Sequence, residues 1–141
     1  MVTRTRRTTV RRPVVPVGLS REKYLRQAAR DMMEDVLQAN VRRLAAAMGW
    51  RVHCWYNSRK SPPGFPDLTL IHTGQGRIMF RELKRSGSRG VISEAQAACM
   101  ADLAAVGMDV KVWRPEDWLD GTIEAELSSP GTAPASAPMR E

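Results

Sequence analysis

The sequence predicts an α/β fold with a mixed sheet, and three observations carry that expectation. Apolar residues first recur at helical spacing, with Met33, Leu37, Val41, Leu44 and Met48 three or four apart. Two strand-like runs, 67–72 and 77–84, then flank Thr73-Gly74-Gln75-Gly76, the pattern of a hairpin with a short glycine loop. Finally, a helical segment from Ser93 to Gly107 separates the hairpin from the apolar run 108–113. Strands joined through a helix need a crossover and lie parallel. The resulting order is α-β-β-β-α-β with a terminal helical turn, a mixed central sheet flanked by helices.

Each element has a local reason. Ser20 can cap a helix that runs to Gly49, placed where a C′ glycine belongs, with a break possible near Arg30. Residues 50–56 alternate enough for a strand, and the loop 57–66 holds three prolines. Ser93-Glu94-Ala95-Gln96 has the form of a capping box opening the second helix. Pro115 suits the first position of a last helical turn. Residues 1–18 are expected to form a flexible basic arm without apolar period, 19–126 the folded part, and 127–141 a disordered Pro/Ala/Ser tail.

A chain of 141 residues suits one domain, given roughly 150 residues per domain. No apolar run approaches the ~18 residues of a membrane span, and the arginine-rich start lacks the apolar core of a signal peptide. The two cysteines, Cys54 and Cys99, show no metal-ligand spacing, so a reducing cytoplasm is expected. His53 and His72 are lone histidines better suited to packing or surface than to chemistry.

The net charge of +7 is uneven. Residues 1–30 hold nine Arg or Lys against Glu22 alone, and residues 42–89 hold ten against two acids, Asp67 and Glu82. Such a surface attracts a polyanion through phosphate contacts. Two carboxylates set among ten bases waste that attraction unless a cation sits between them. Pairing about a hairpin centre near residue 75 places Asp67 opposite position 83, within one residue of Glu82. Glu82 and Lys84 are two apart and share a face with Ile78 and Phe80, apolar further along. A divalent ion resolves the repulsion of the two acids, and hard oxygen donors favour Mg²⁺ or Mn²⁺. Such an ion can hold a phosphate and a water to attack it, with Lys84 beside them stabilising the developing charge.

These residues resemble a known family. Pro66-Asp67, followed fifteen positions later by Glu82-Leu83-Lys84, is similar to the PD-(D/E)XK nuclease motif. The element order also resembles the restriction-endonuclease-like core of that superfamily. Gly64-Phe65-Pro66-Asp67-Leu68, Phe80-Arg81-Glu82-Leu83-Lys84, Ser93-Glu94-Ala95-Gln96 and Trp113-Arg114-Pro115 resemble its VRR-NUC branch, related to archaeal Holliday-junction resolvases. The resemblance covers about residues 31–120.

The resemblance implies a DNA endonuclease that uses Mg²⁺ or Mn²⁺ and leaves a 5′-phosphate and a 3′-hydroxyl. Asp67, Glu82, the Leu83 carbonyl and an acid on the first helix, for which Glu34 fits best, would hold the metal. Lys84 would be the catalytic lysine and Gln96 a supporting glutamine, although Gln96 can also serve only its capping box. A homodimer and a phage or mobile-element setting also follow from the resemblance. Independently of it, Arg59, Lys60, Arg85 and Arg89 are candidate phosphate contacts, and Trp55 is a candidate for stacking on a base. Two rival readings stay open: a non-catalytic nucleic-acid-binding protein on the same fold, and an RNA-directed nuclease.

Overall fold

A computed structural model describes residues 14–55 and 63–128. The elements run α1 (Arg21–Asp31), α2 (Glu34–Ala47), β1 (Arg51–Cys54), β2 (Leu68–His72), β3 (Arg77–Leu83), α3 (Glu94–Ala105), β4 (Asp109–Trp113), α4 (Pro115–Leu119) and α5 (Thr122–Ser128), with one 3₁₀ turn at Gly87–Arg89. The four strands lie in the order β1-β2-β3-β4. β1 and β2 pair antiparallel, as do β2 and β3, whereas β3 and β4 run parallel. The α/β class and mixed sheet expected from the sequence are therefore present.

The long first helix is two helices. Met32 and Met33 are extended, with ψ of 117° and 154°, and separate α1 from α2. The two halves pack differently: α1 lies mainly against α4, whereas α2 packs on β1 and β3 and also reaches α4 and α5. Met33, counted in the apolar stripe, is 51% exposed at the break, while Leu37, Val41 and Ala45 are fully buried.

One face of the sheet presents Leu68, Leu70, Met79, Leu83 and Trp113 to α2 and α5, forming the core with Trp50, Ile123 and Leu127. α5, to which the sequence reading assigned no element, closes this layer; its last two residues fall in the expected tail, yet Leu127 is fully buried. It accepts the indole N–H of Trp50 on the Leu127 carbonyl at 3.1 Å. The face carrying Ile78 and Phe80 is more open, with Ile78 42% exposed. Glu82 therefore ends a half-open face rather than the main apolar one.

An unexpected member of the core face is Arg81, fully buried. Its guanidinium pairs with Asp109 at 2.9 Å and Glu126 at 3.2 Å, and lies 4.9 Å over the Trp113 ring. Trp113 Nε1 and Lys111 Nζ also donate to Glu126, at 2.8 Å and 3.0 Å. Burial favours the neutral Glu126 acid, but these hydrogen bonds and the Arg81 charge hold its carboxyl below the ordinary range. The network fastens α5 to β3 and β4.

His72 has the packing role expected of it. Its Nε2 contacts the Met48 carbonyl at 3.0 Å and its Nδ1 accepts the Gln75 N–H at 3.0 Å, which together require the neutral Nε2–H form. Cys54 and Cys99 are free and half-buried.

Candidate active site

The hairpin register decides where the acids meet. Leu68 pairs with Arg81 and His72 with Arg77, so one further step sets Asp67 opposite Glu82 rather than opposite Leu83. The loop Thr73 to Gly76 has an even number of residues, and its centre falls between Gly74 and Gln75.

The two acids are tied through the backbone. The Asp67 N–H donates to Glu82 Oε2 at 3.2 Å, and the Leu83 N–H donates to Asp67 Oδ2 at 2.9 Å. Neither carboxylate can rotate away without losing a bond to the opposing strand. Lys84 follows β3, and its own N–H donates to the Trp113 carbonyl at 3.1 Å, continuing the parallel ladder. Its Nζ stands 3.2 Å from Glu82 Oε1.

Glu82 is unusual in its surroundings. Its side chain is only 2% exposed. Burial and the neighbouring Asp67 charge push its carboxyl up to about 7, against the smaller opposing effects of Lys84 and the Asp67 N–H. A buried carboxyl raised by a second carboxylate behaves as a site short of positive charge. Gln96 completes its hydrogen bonding, donating from Nε2 to Glu82 Oε1 at 2.7 Å. The same side chain closes the capping box, its Oε1 accepting the Ser93 N–H at 2.9 Å. The two roles foreseen for Gln96 do not compete, because the amide has two ends.

The Asp67 side of the site depends on Gly64. With φ at +101°, Gly64 presses so closely on the first turn of α3 that a Cβ would lie 2.4 Å from the Ala95 carbonyl oxygen. This approach carries Phe65 and Pro66 into the start of β2.

Glu34 opens α2 and is half-buried, whereas Asp31 and Asp35 are exposed. Burial raises its carboxyl first of all, with Lys84, Asp67 and Arg85 close enough to act on its charge. Among the described residues, however, no three His, Cys, Asp or Glu side chains gather into a metal-holding group. Glu34 thus borders the Asp67–Glu82 pair without forming a three-acid cluster with it.

The basic candidates separate. Arg89 is exposed at the end of the 3₁₀ turn. Arg85 is half-buried and donates from Nη2 to the Arg30 carbonyl at 3.2 Å, tying the loop to the end of α1. Arg59 and Lys60 lie outside the described residues. Sequence reasoning gave Arg114 no role, yet its Nη1 donates to the carbonyls of Arg85 and Gly90 at 2.7 Å and 2.9 Å. It clamps the segment leaving Lys84. Its place in the family-like stretch Trp113-Arg114-Pro115 marked the residue in the sequence but not this contact.

With this geometry in place, comparison with known protein families matches the VRR-NUC domain over residues 3–116. The chain belongs to the VRR-NUC family. The matched stretch includes the hairpin, Lys84, Gln96 and Arg114, and stops before α5. VRR-NUC domains are nuclease domains, generally dependent on divalent metal, so the chain carries a nuclease-type hydrolase domain. No curated protein and no solved structure matches it. Among the described residues, no helix is long and apolar enough to cross a membrane.

Proposed function

We propose that the chain is a divalent-metal-dependent DNA endonuclease selective for DNA structure. The observation that supports this reading best is the interlock of Asp67 and Glu82, with Lys84 at 3.2 Å and the Glu82 carboxyl raised to about 7. Two adjacent carboxylates, one buried, make a hard-oxygen donor set suited to Mg²⁺ or Mn²⁺. Asp67, Glu82 and the Leu83 carbonyl would hold the ion, with Glu34 at its border. When bound, the ion supplies a reactive water and neutralises charge on the phosphate.

The chain's own residues do the rest. The Leu83 N–H fixes the Asp67 carboxylate, and Gln96 fixes that of Glu82. Lys84 Nζ, a compact cation at the rim, stabilises the charge that develops on the phosphate oxygens. Water oxygen bonds to phosphorus as the bond to the 3′ oxygen breaks; the water gives up a proton to solvent and the leaving oxygen takes one from solvent, leaving a 5′-phosphate and a 3′-hydroxyl. Arg89, Arg59 and Lys60 are proposed to hold flanking phosphates.

The test is a cleavage panel of four-way junction, flap, nicked and plain duplex DNA with Mg²⁺, Mn²⁺ or EDTA. Cleavage with either metal and none with EDTA is expected. Lys84→Ala should lose about 10²- to 10³-fold in rate while binding DNA as before. Undiminished cutting by pure Lys84→Ala protein, or by wild type in EDTA, overturns the reading.

A further inference from the structure

The region between the start of α2 and the hairpin carries charge of a single sign. Residues 36–66 hold five Arg or Lys and no Asp or Glu. Two of these, Arg42 and Arg43, lie exposed on α2 above β1, the strand at the edge of the sheet. Between the helix and that edge runs a groove in two adjoining parts. One, of about 470 Å³, is lined by Ala39, Arg42, Arg43, Ala46 and Val52. The other, of about 510 Å³, shares Arg42 and Val52 and adds His53, Cys54, Trp55 and Thr69.

Trp55 gives this groove a flat wall. It is 57% exposed, whereas Trp50 and Trp113 are buried in the core. It is also held in place: its indole N–H donates to Thr69 Oγ1 at 3.3 Å. Its ring meets Phe65 edge-on at 5.7 Å, and Phe65 meets Phe80 edge-on at 5.8 Å. An exposed indole fixed by its neighbours exposes apolar area without making a core. The Trp55 N–H donates to the Asp67 carbonyl at 2.9 Å, so the groove ends one hydrogen bond from the candidate metal ligand.

Arginines over a groove with a fixed, exposed indole match the two needs of a single nucleic-acid strand, phosphates to neutralise and base faces to stack. A duplex offers the phosphates but hides the faces of its bases. We propose that this groove binds an unpaired DNA strand beside the cleavage site, with a base stacked on Trp55 and phosphates on Arg42 and Arg43. This rests on the nuclease reading above and deepens it: the substrate is DNA with a single-stranded stretch next to the bond that is cut.

The experiment measures binding of the full chain in EDTA to a labelled 20-nucleotide oligothymidylate and to a 20-base-pair duplex. Wild type should bind the single strand with quenching of tryptophan fluorescence. Trp55→Ala should weaken that binding about 5- to 150-fold, the range for loss of one stacked base, and leave duplex binding within twofold. Trp55→Leu keeps apolar bulk and should behave as Trp55→Ala, which guards against a folding artefact when melting temperatures match. Arg42→Gln with Arg43→Gln should lower the slope of log affinity against log salt by about 1.4 for the single strand, two contacts at about 0.7 each. Single-strand affinity unchanged by both tryptophan variants overturns the proposal, as does equal loss on duplex, or a Trp55-dependent dimer of the protein that explains the groove instead. Cleavage of a flap is followed in parallel with Mg²⁺. A wild type that cuts nothing yet shows the Trp55-dependent binding defeats the nuclease reading and leaves the strand site standing.

Discussion

Gln96 and Glu82 are joined by a 2.7 Å hydrogen bond that links the first turn of α3 to the end of β3. The bond sets the plane of a carboxylate that is almost wholly buried, and it does so from a side chain already immobilised by the Ser93 capping box. A helix start has been made into a support for an acid.

That double use gives a graded prediction. Gln96→Glu keeps an oxygen for the Ser93 N–H but sets a carboxylate against Glu82 in place of a donor. Cleavage should fall about 10- to 100-fold, the usual cost of losing a partner that orients a metal ligand, with little change in melting temperature. Gln96→Leu should lose the same activity and also about 0.5–1.5 kcal/mol of stability, because the Ser93 N–H loses its acceptor while Ser93 Oγ still accepts the N–H of residue 96. Unimpaired cleavage by Gln96→Glu would show that the bond to Glu82 is idle.

If Glu82 holds the ion as proposed, its carboxyl connects pH to metal. It takes up a proton at about 7 in the fold against 4.5 in the open chain, so between those values the folded state binds more protons. Without divalent ion, stability contributed by this group is therefore present below about 4.5 and lost as pH rises through about 7. The melting temperature in EDTA should be lower at pH 8 than at pH 5.5. Mg²⁺ should raise it at pH 8 and do little at pH 5.5, since a cation and a proton compete for the same oxygens. Glu34 and Asp117 are raised by burial too and give a residual slope of the same sign. The check is a melting series on wild type and Glu82→Gln. Superimposable pH profiles for the two would refute the assignment.

The hairpin shows why part of the site was legible and part was not. A short glycine turn fixes the pairing of everything beyond it, so Asp67 and Glu82 could be brought together by counting, with an error of one residue. Lys84 followed from the alternation of side chains along β3. Arg85 and Arg89 looked alike, because loop charge carries no information about packing; only the position of the Arg30 carbonyl tells them apart. The role of Arg114 needs the register of β3 against β4, with Leu83 beside Trp113, which no local pattern displays. α5 escaped notice since its apolar face is just Ile123 and Leu127, separated by acids. Arg81 lay within the family-like stretch, but its burial depends on Asp109 and Glu126 arriving from other elements.

Gly64→Ala tests the loop that delivers Asp67. The new methyl would meet the Ala95 carbonyl at 2.4 Å, and φ of +101° is a conformation that alanine rarely adopts. Strain of this kind costs about 1–3 kcal/mol. Relief requires the loop to move off α3, and Asp67 is only three residues away. Activity should therefore fall further than the fraction of unfolded protein explains, measured as rate per folded molecule beside a urea titration. Loss of activity in strict proportion to unfolding would show that Asp67 holds its place without the Gly64 contact.

Arg81 offers the opposite separation, stability without chemistry. It points to the core face, one residue from Glu82 and so on the other side of the sheet. Arg81→Met fills similar volume but leaves Asp109 and the half-buried Glu126 without their shared cation, although Lys111 and Trp113 still reach Glu126. Removing one partner of a fully buried ion pair costs about 3–5 kcal/mol, but the Asp109 and Glu126 side chains are 39% and 20% exposed and Glu126 keeps its other donors, so the loss should stay below that range. The folded-state Glu126 carboxyl lies below its ordinary 4.5, so its contribution is present above that value and lost as pH falls through the folded one. The wild type should therefore lose its advantage over Arg81→Met in strongly acid solution. At neutral pH the variant should unfold at lower urea yet cleave at the wild-type rate per folded molecule. A variant that keeps its urea midpoint would mean that α5 is held by Ile123, Leu127 and the Trp50 bond alone.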